Sequence, residues 1–276
     1  MKNIIFATTL FICNIASTMP LSAAIASGND CGDNCNWEIS DTGTLSITGT
    51  GSIKDFTRIN CETDCTTSAP WRQYASTVTA LVINEGIERI GYDAFEDMDY
   101  IQNIQLPNTL TSIGALAFHS NNSLQSLVVP DNVTEIGAWA ISHTGIKELV
   151  LPENLETIGA NALGGNNSLK TLVLPEGLKN LDPSVLIGVA AYDIKVLSKL
   201  YCAQANKDAC TTAAEKLGIT PILYTKTNNG FIADNKRYHS LSDMASNNGF
   251  PIRRIYTIDE ANQLTGKKNK VMIRYK

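Results

Sequence analysis

The chain has 276 residues, of which 43% are hydrophobic and 18% are charged, and its formal net charge is −5. This length excludes a disulfide-stabilised mini-protein and fits one elongated domain with attached segments. The charge is uneven, because residues 27–225 carry 11 basic and 23 acidic side chains, whereas residues 226–276 carry 10 and 4. Such asymmetry indicates an interaction, either within the chain or with a partner.

The N-terminus has the pattern of a secretory signal peptide. Lys2 is the only early charge, residues 4–16 are mostly apolar, and Ala24-Ile25-Ala26 is a small-x-small cleavage motif. The apolar stretch is shorter than the about 20 residues that a membrane span needs. We therefore expect a signal peptide over residues 1–26, with cleavage after Ala24 as the alternative. The mature chain is expected to lack a transmembrane segment and to be secreted, periplasmic or at the cell surface.

Six cysteines remain after the predicted cleavage. They are Cys31, Cys35, Cys61, Cys65, Cys202 and Cys210. Six cysteines in an exported chain predict three disulfide bonds. The spacing favours a bond between Cys202 and Cys210, whereas the first four can pair locally or across their two loops. A zinc site built from the two C-x3-C pairs is the rival interpretation, which an oxidising compartment disfavours because it removes free thiolates.

Residues 27–77 precede a repeat and predict a cap for its first open end. Thr44–Thr48 alternates between polar and apolar side chains and predicts a strand. Trp37, Phe56 and Trp71 are large apolar groups in an otherwise polar segment, as expected of residues that cover an exposed edge.

From Val78 to about Ala191 one phrase recurs five times. The copies start at Val78, Ile101, Leu124, Ile146 and Leu169, so the steps are 23, 23, 22 and 23 residues. The template is apolar-x-x-apolar-x-apolar-Pro-x-x-apolar-x-x-Ile-Gly-x-x-Ala-Phe. A fixed period of this size predicts a solenoid, because one copy cannot bury its apolar residues alone.

Each part of the template has a physical role. The apolar-x-apolar segment predicts a short strand, and the proline ends it because proline lacks a ladder donor. The glycine permits either a turn with a positive φ or a close backbone approach, and Ala-Phe fills the interior. Stacked copies predict one parallel sheet.

The second copy, Leu106-Pro107-x-x-Leu110-x-x-Ile113-Gly114-x-x-Ala117-Phe118, and its equivalents resemble the BspA-type leucine-rich repeats of bacterial and protist surface proteins. The resemblance implies a secreted or surface-exposed binding protein of the adhesin type, and it implies no catalytic residues. The predicted fold is therefore an α/β-type leucine-rich-repeat solenoid with one parallel sheet, a disulfide-tied N-terminal cap and a small α+β C-terminal module.

The C-terminal quarter leaves the repeat pattern. Ala203–Leu217 is alanine-rich and predicts a helix that ends at Gly218, and a hairpin is predicted from Gly230–Ala233 and Lys236–Tyr238. A short helix from Thr257 and a strand over Val271–Tyr275 are also predicted. We thus expect the cap at 27–77, the solenoid at 78–200, a helical cap or connector at 201–225 and a basic module at 226–276.

The outward positions of the repeat strands are the candidate binding residues. They are Val82, Asn103, Gln105, Ser126, Val128, Glu148, Val150, Thr171 and Val173. In a parallel stack each position forms a column, so the valines form a solvent-facing apolar stripe of the kind that often marks binding. The alternative is that valine stands there only because of its strand propensity.

An acidic rim is predicted beside this stripe. Its members are Glu85, Asp131, Glu153 and Glu176. The rim can attract a basic partner or the chain's own basic tail, or it can be a solvated edge, and it argues against nucleic-acid binding.

Signals for catalysis are weak. The three histidines, His119, His143 and His239, lack metal-type spacing, and no nucleophile elbow or phosphate loop occurs. We therefore expect a non-catalytic protein without a cofactor or metal, which binds a protein or glycan on another cell or in the envelope. The alternative is a structural envelope component attached through the basic C-terminal module.

Overall fold

In the computed structural model of the protein, the described residues are 23–59, 66–179, 184–187, 197–234, 236–246 and 250–251. Residues 1–22 of the predicted signal peptide, Cys61 and Cys65, and the helix and strand predicted after residue 256 lie outside the described residues. The described residues contain no helix that is long and apolar enough to cross a membrane.

The described part of the chain is mostly β structure with short helices. The strands, in chain order, are β1 (Ala24–Gly28), β2 (Cys35–Ser40), β3 (Thr44–Gly49), β4 (Gly51–Ser52), β5 (Arg58–Ile59), β6 (Thr66–Thr67), β7 (Ala80–Ile83), β8 (Ile87–Ile90), β9 (Asn103–Gln105), β10 (Ser112–Ile113), β11 (Glu135–Ile136), β12 (Glu148–Val150), β13 (Thr157–Ile158), β14 (Thr171–Leu174), β15 (Lys199–Ala203), β16 (Ile222–Thr227), β17 (Gly230–Ala233), β18 (Lys236–Tyr238) and β19 (Phe250–Pro251). The helices are α1 (Ser184–Ile187), α2 (Lys207–Lys216) and α3 (Leu241–Ala245), and short 3₁₀ helices cover Arg72–Tyr74 and Gln204–Asn206.

β1 contains the predicted signal-peptide cleavage site. Ala26 pairs with Ile39 of β2 and is half-buried. Cleavage after Ala26 therefore removes three of the five residues of this strand, whereas the alternative cleavage after Ala24 leaves four of them.

The first sheet joins the N-terminal segment to the first two repeats. Its strand order is β1-β2-β3-β7-β9, and the pairs β3–β7 and β7–β9 are parallel. The strand predicted over Thr44–Thr48 forms as β3, and its alternation places Leu45 and Ile47 in the core. Leu45 pairs with Leu81 of the first repeat, so the N-terminal segment covers the first edge of the repeat strands.

A second parallel sheet joins the Ile-Gly positions of the repeats. Its order is β13-β11-β10-β8-β4, and it pairs Ile113 with Ile90 on one side and with Ile136 on the other. The prediction of one parallel sheet is therefore wrong. The segment before each template glycine is also extended, and its buried backbone groups need partners, which the adjacent repeat supplies.

The recurring glycine permits close packing of the backbone. A Cβ on Gly114 would lie 2.7 Å from the carbonyl carbon of Gly91, and one on Gly137 would lie 2.4 Å from the amide nitrogen of Ala115. No side chain fits at such distances. Of the two explanations that the sequence allows, close approach is therefore the correct one. The positive φ falls instead two residues later, at Asp93, Leu116, Trp139 and Asn161.

The third sheet holds the later repeats and the C-terminal segment. Its order is β12-β14-β15-β16-β17-β18-β19, with parallel pairs as far as β16 and antiparallel pairs beyond it. The predicted hairpin forms as β17 and β18, and the predicted boundary between residues 225 and 226 falls inside β16. Residues 124–130 of the third copy form no strand, so the repeat strands are divided between the first and third sheets.

Two disulfide bonds lie within the described residues. Cys202 bonds to Cys210 as predicted, with the Cα atoms 6.4 Å apart, and this bond ties β15 to α2. Cys31 bonds to Cys35, which selects local pairing for these two cysteines among the alternatives. The helix predicted before Gly218 forms as α2, and Gly218 takes a φ of +63° after it.

Aromatic rings connect the N-terminal segment to the repeat core. The Trp71 ring stacks on Phe95 with centroids 5.1 Å apart, and Phe95 stacks on Phe118 at 5.7 Å. Phe56 and Trp37 meet Trp71 edge to face at 5.4 and 6.1 Å. The three aromatic residues singled out in the sequence therefore cover the Ala-Phe column of the repeats.

Buried asparagines hold the turns that follow the Ala-Phe column. Asn166 donates its Nδ2 to the carbonyl oxygens of Ile141 at 2.7 Å and Leu163 at 3.0 Å. Its Oδ1 accepts from the backbone nitrogen and the hydroxyl of Thr144, each at 2.7 Å. Asn166 thus bonds buried polar groups of its own repeat and of the preceding one.

We expect Asn166→Ala to lower the free energy of unfolding by about 2–4 kcal/mol, because it leaves several buried polar groups without partners. Asn167→Ala is the matched control, since Asn167 is adjacent and exposed, and it should change stability by less than about 0.5 kcal/mol. Urea denaturation of both variants measures the difference. Equal stability of the two variants would contradict the role of Asn166.

Candidate binding surface

The structure places the predicted binding residues in three different environments. Five are exposed, namely Asn103, Gln105, Ser126, Val128 and Glu148. Val82 and Val150 are half-buried. Thr171 and Val173 are buried, at 4% and 0% exposure, so the expectation that these two face solvent is wrong.

The predicted columns form wherever the repeats carry strands. Val82 pairs with Gln105 on the first sheet, and Glu148 and Val150 pair with Thr171 and Val173 on the third. The columns are interrupted at the third copy, where the segment around Val128 lies outside both sheets.

The C-terminal segment covers the outward face of the third sheet. Val173 packs in a buried cluster with Tyr201, Tyr224, Phe231 and Met244, and Val150 packs against the same cluster. Apolar side chains at these outward positions are stabilised by burial under a segment that is about 60 residues away in the chain. This is the physical reason why the outward stripe is not exposed throughout.

Helix α3 of this cover packs on the repeat strands β12 and β14. Ser240 caps it, since its hydroxyl accepts from the amide of Asp243 while the Asp243 carboxylate accepts from the amide of Ser240. Leu241, Met244 and Ala245 are its buried residues. The capping pattern Ser240-x-x-Asp243 is visible in the sequence and is the signal that sequence reasoning missed.

The uncovered part of the outward face extends into the N-terminal segment instead. Glu38 of β2 pairs with Ser46 of β3, Ser46 pairs with Val82, and Val82 pairs with Gln105. We call this surface the open face. It consists of Glu38, Ser46, Val82, Asn103, Gln105, Ser126, Val128 and Glu148.

Val128 is the most exposed apolar side chain of the open face. Its exposure is 81%, whereas Val150 is half-buried and Val173 is fully buried in the equivalent positions of the next two repeats. An apolar side chain held in water at the end of a covered apolar column is the feature that most distinguishes this surface.

The acidic rim is not uniform. Glu85 accepts hydrogen bonds from the amides of Asn108 at 3.0 Å and Thr109 at 3.1 Å, and these bonds, that of Asn108 first, hold the pKa of its carboxyl below the usual value. Glu153 forms an ion pair with Lys226 of β16. The rim therefore meets a basic residue of the C-terminal segment at one point, while Asp131 and Glu176 are exposed.

A buried acidic pair lies at the N-terminal end of the repeats. Asp93 is 0% and Glu96 is 3% exposed, and the guanidinium group of Arg58 in β5 contacts both carboxyl groups. Both carboxyl oxygens of Asp93 and the Oε2 of Glu96 have no hydrogen-bond partner within the described residues. Burial, reinforced by the neighbouring Asp93, raises the pKa of Glu96 to about 8.

His119 lies beside this pair and contacts the next repeat. Its Nδ1 is 2.6 Å from the Ser142 hydroxyl, and its Nε2 is 4.0 Å from the Oε1 of Glu96. Burial, followed by the charges of His143 and Arg58, lowers the pKa of His119 to about 4. The His119 and His143 rings are 5.2 Å apart.

The Ser-His-Glu arrangement is unsuited to nucleophilic catalysis. Ser142 is fully buried, and its hydroxyl donates to the carbonyl oxygen of Trp139 at 2.7 Å, so His119 has no serine proton to accept. Within the described ranges, no group of three or more histidine, cysteine, aspartate or glutamate side chains is placed to hold a metal ion.

A family model described as a BspA type leucine-rich repeat region matches residues 73–189 in six copies, one more than the five predicted. The chain carries a BspA-type leucine-rich repeat region. No curated protein matches the chain.

Several solved structures of bacterial leucine-rich repeat proteins are similar. A protein from Eubacterium ventriosum is 23% identical with a TM-score of 0.56, and the likeness covers 76% of this chain and 49% of that one. The T. pallidum leucine-rich repeat protein is 23% identical over 67% of this chain and 94% of its own, with a TM-score of 0.45. The pneumococcal vaccine antigen PcpA is 28% identical over 49% and 33%, with a TM-score of 0.41.

The first of these likenesses shows a shared leucine-rich-repeat fold. The chain spans about half the length of the Eubacterium ventriosum protein.

We expect the buried Glu96 to make stability depend on pH. Between the usual pKa of 4.5 and about 8, folded Glu96 keeps a proton that the unfolded chain has lost. The free energy of unfolding therefore falls as pH rises through this window and levels off above it. Glu96→Gln stays neutral, so it should remove the decline and be more stable than the wild type by about 2 kcal/mol at pH 8.

Urea denaturation from pH 5 to pH 9 measures this dependence. Glu88→Gln is the control, because Glu88 is an exposed acid on β8, and it should retain the decline of the wild type. A decline that persists unchanged in Glu96→Gln would show that another group causes it.

Proposed function

We propose that the protein is an exported, non-catalytic binding protein of the adhesion type, which engages a protein or glycan on another cell or in the envelope through its open face. The observation that carries the proposal is the exposure of Val128 at the end of a column whose next members are covered by the chain itself. The family to which its repeats belong and the disulfide bonds of the described residues support an extracellular or surface location.

The covered half of the column supports the proposal, because the C-terminal segment of the chain packs on the same face there. Val150 and Val173 receive aromatic and aliphatic side chains from the C-terminal segment, including Tyr224 and Met244. The same face is therefore suited to pack against apolar side chains. Val128 offers an equivalent site without an internal occupant among the described residues.

The polar residues of the open face are suited to surround an apolar contact residue such as Val128. Asn103, Gln105 and Ser126 are exposed, and none of them forms a side-chain hydrogen bond with another described residue. Binding surfaces commonly combine an apolar centre with polar groups at the margin, which add orientation and exclude water. The open face has this composition, with Glu148 as the acidic residue of the repeat that follows the one containing Val128.

We expect Val128→Glu to abolish partner capture, because it places a charge at the centre of the contact. The full mature chain, with a photoactivatable residue in place of Gln105, is incubated with envelope and host-cell-surface extracts, and cross-linked partners are identified by mass spectrometry. The expected result is one specific partner that is lost in Val128→Glu. Circular dichroism should be unchanged, since Val128 is 81% exposed.

Thr157→Glu is the matched control. It adds the same charge at an exposed position of β13, on the second sheet rather than on the open face. Capture should survive in this variant. Capture that survives equally in Val128→Glu would exclude Val128 from the binding surface.

A further inference from the structure

A polar depression lies on the outward side of β2 and β3, next to the open face. Its volume is about 450 Å³, which lies within the range of small-ligand sites. Its principal lining residues are Asn29, Asn36, Trp37, Glu38, Ser46 and Thr48. Glu38 and Ser46 belong to both the depression and the open face, so the two surfaces are continuous.

The polar side chains of this depression have no hydrogen-bond partners among the described residues. Asn29, Asn36, Glu38, Ser46 and Thr48 make no side-chain hydrogen bond or ion pair with any other described residue. Elsewhere several asparagines of the repeats bond to backbone carbonyl oxygens; examples are Asn121, Asn132 and Asn154. Five hydrogen-bonding side chains that converge without internal partners are available to a ligand.

The strand that carries Asn36 and Glu38 is anchored from its inner side by Trp37, which is buried in the core. The Trp37 indole nitrogen donates to Asp30 at 2.8 Å, and its ring meets Trp71 edge to face. The backbone of Gly28 lies directly against the indole, since a Cβ there would be 2.6 Å from the indole nitrogen. The backbone that carries the polar side chains is therefore in place before a ligand binds.

The chemistry of the lining selects the ligand class. Glu38 has the only charged side chain of the lining and, with the alternative cleavage after Ala24, which leaves Ser27 inside β1, the only charge there, so an anionic ligand meets repulsion. One carboxylate is too few for a divalent cation, which takes six or more oxygen ligands. Amide, hydroxyl and carboxylate groups both donate to and accept from neighbouring hydroxyl groups. A neutral polyhydroxyl ligand matches this set.

We infer that the depression binds a neutral saccharide unit of the partner that the open face engages. The inference rests on the proposed function and specifies its ligand chemistry. The Glu38 carboxylate accepts hydrogen bonds from sugar hydroxyl groups, and the asparagine and hydroxyl side chains bond further hydroxyls. Val128 then contacts a neighbouring part of the same glycan-bearing molecule.

Titration of the full mature chain with neutral disaccharides tests this inference. Lactose, maltose, cellobiose and N,N′-diacetylchitobiose are each added while the Trp37 indole signal is followed by NMR and the heat is measured by calorimetry. At least one should saturate with a Kd on the order of 1 mM. The inference is overturned if none saturates, or if calcium chloride alone shifts the Trp37 signal and the sugars do not.

Two variants locate the site. Glu38→Gln should raise the Kd of the saturating disaccharide about tenfold, because a hydrogen bond to a charged group is lost. Ser46→Tyr should abolish binding, because its ring fills the depression while tyrosine remains favourable in a strand. Glu88→Gln should bind as the wild type does. Unchanged affinity in both Glu38→Gln and Ser46→Tyr, with thermal unfolding like that of the wild type, would overturn the inference.

The disaccharide assay and the capture assay can fail independently of each other, so they test the saccharide inference and the proposed function separately. Val128→Glu should retain disaccharide binding, because Val128 does not line the depression, while it loses capture of the whole partner. Capture that depends on Val128 without any disaccharide binding overturns only the saccharide inference. Disaccharide binding in a chain whose capture is unaffected by Val128→Glu overturns only the role of Val128.

Discussion

The close packing of each repeat on the one before it is the constraint on which the rest of the structure depends. The template glycines enforce it, since a Cβ on Gly159 would lie 2.3 Å from the amide nitrogen of Ala138 in the preceding repeat. At this spacing the Ile-Gly segments pair in register, and equivalent side chains such as Phe95 and Phe118 stack. A short apolar phrase thereby becomes part of a continuous core, which one copy cannot form alone.

The same register determines what the surface can do. Because equivalent residues align in columns, one outward apolar position per repeat forms an apolar stripe along the sheet. A segment that covers this stripe must place its own apolar side chains at the spacing of the repeats. The C-terminal segment does so at Val150 and Val173, and its Lys226 meets Glu153 of the rim. The remaining stripe, with Val128 at its end, continues through Val82 to the polar strands of the N-terminal segment. The chain thus supplies a cover at one end of its outward face and a polar, ligand-sized depression at the other.

The repeat, its strands, the Cys202–Cys210 bond and the helix before Gly218 are all readable from the sequence, because each depends on local patterns. The second sheet is not, since two-residue strands such as Ser112–Ile113 carry no alternation to detect. The burial of Thr171 and Val173 is also not predictable from the sequence, because a repeat pattern does not indicate onto which face a distant segment of the chain folds. Glu38 and Ser46 join the open face only through strand pairing, which the repeat template does not include. The buried Asp93 is not predictable from the template either, because the equivalent position holds Leu116, Trp139 and Asn161 in other copies.

The outward column is covered at Val173 and open at Val128, and the reactivity of a thiol placed at each position distinguishes the two environments. Val128→Cys and Val173→Cys are each prepared in the full mature chain with its native disulfides intact, and their reaction with an aromatic disulfide reagent is timed under native conditions. The account predicts rapid reaction at position 128, and at position 173 reaction only after denaturant is added. Similar native rates at the two positions would contradict it.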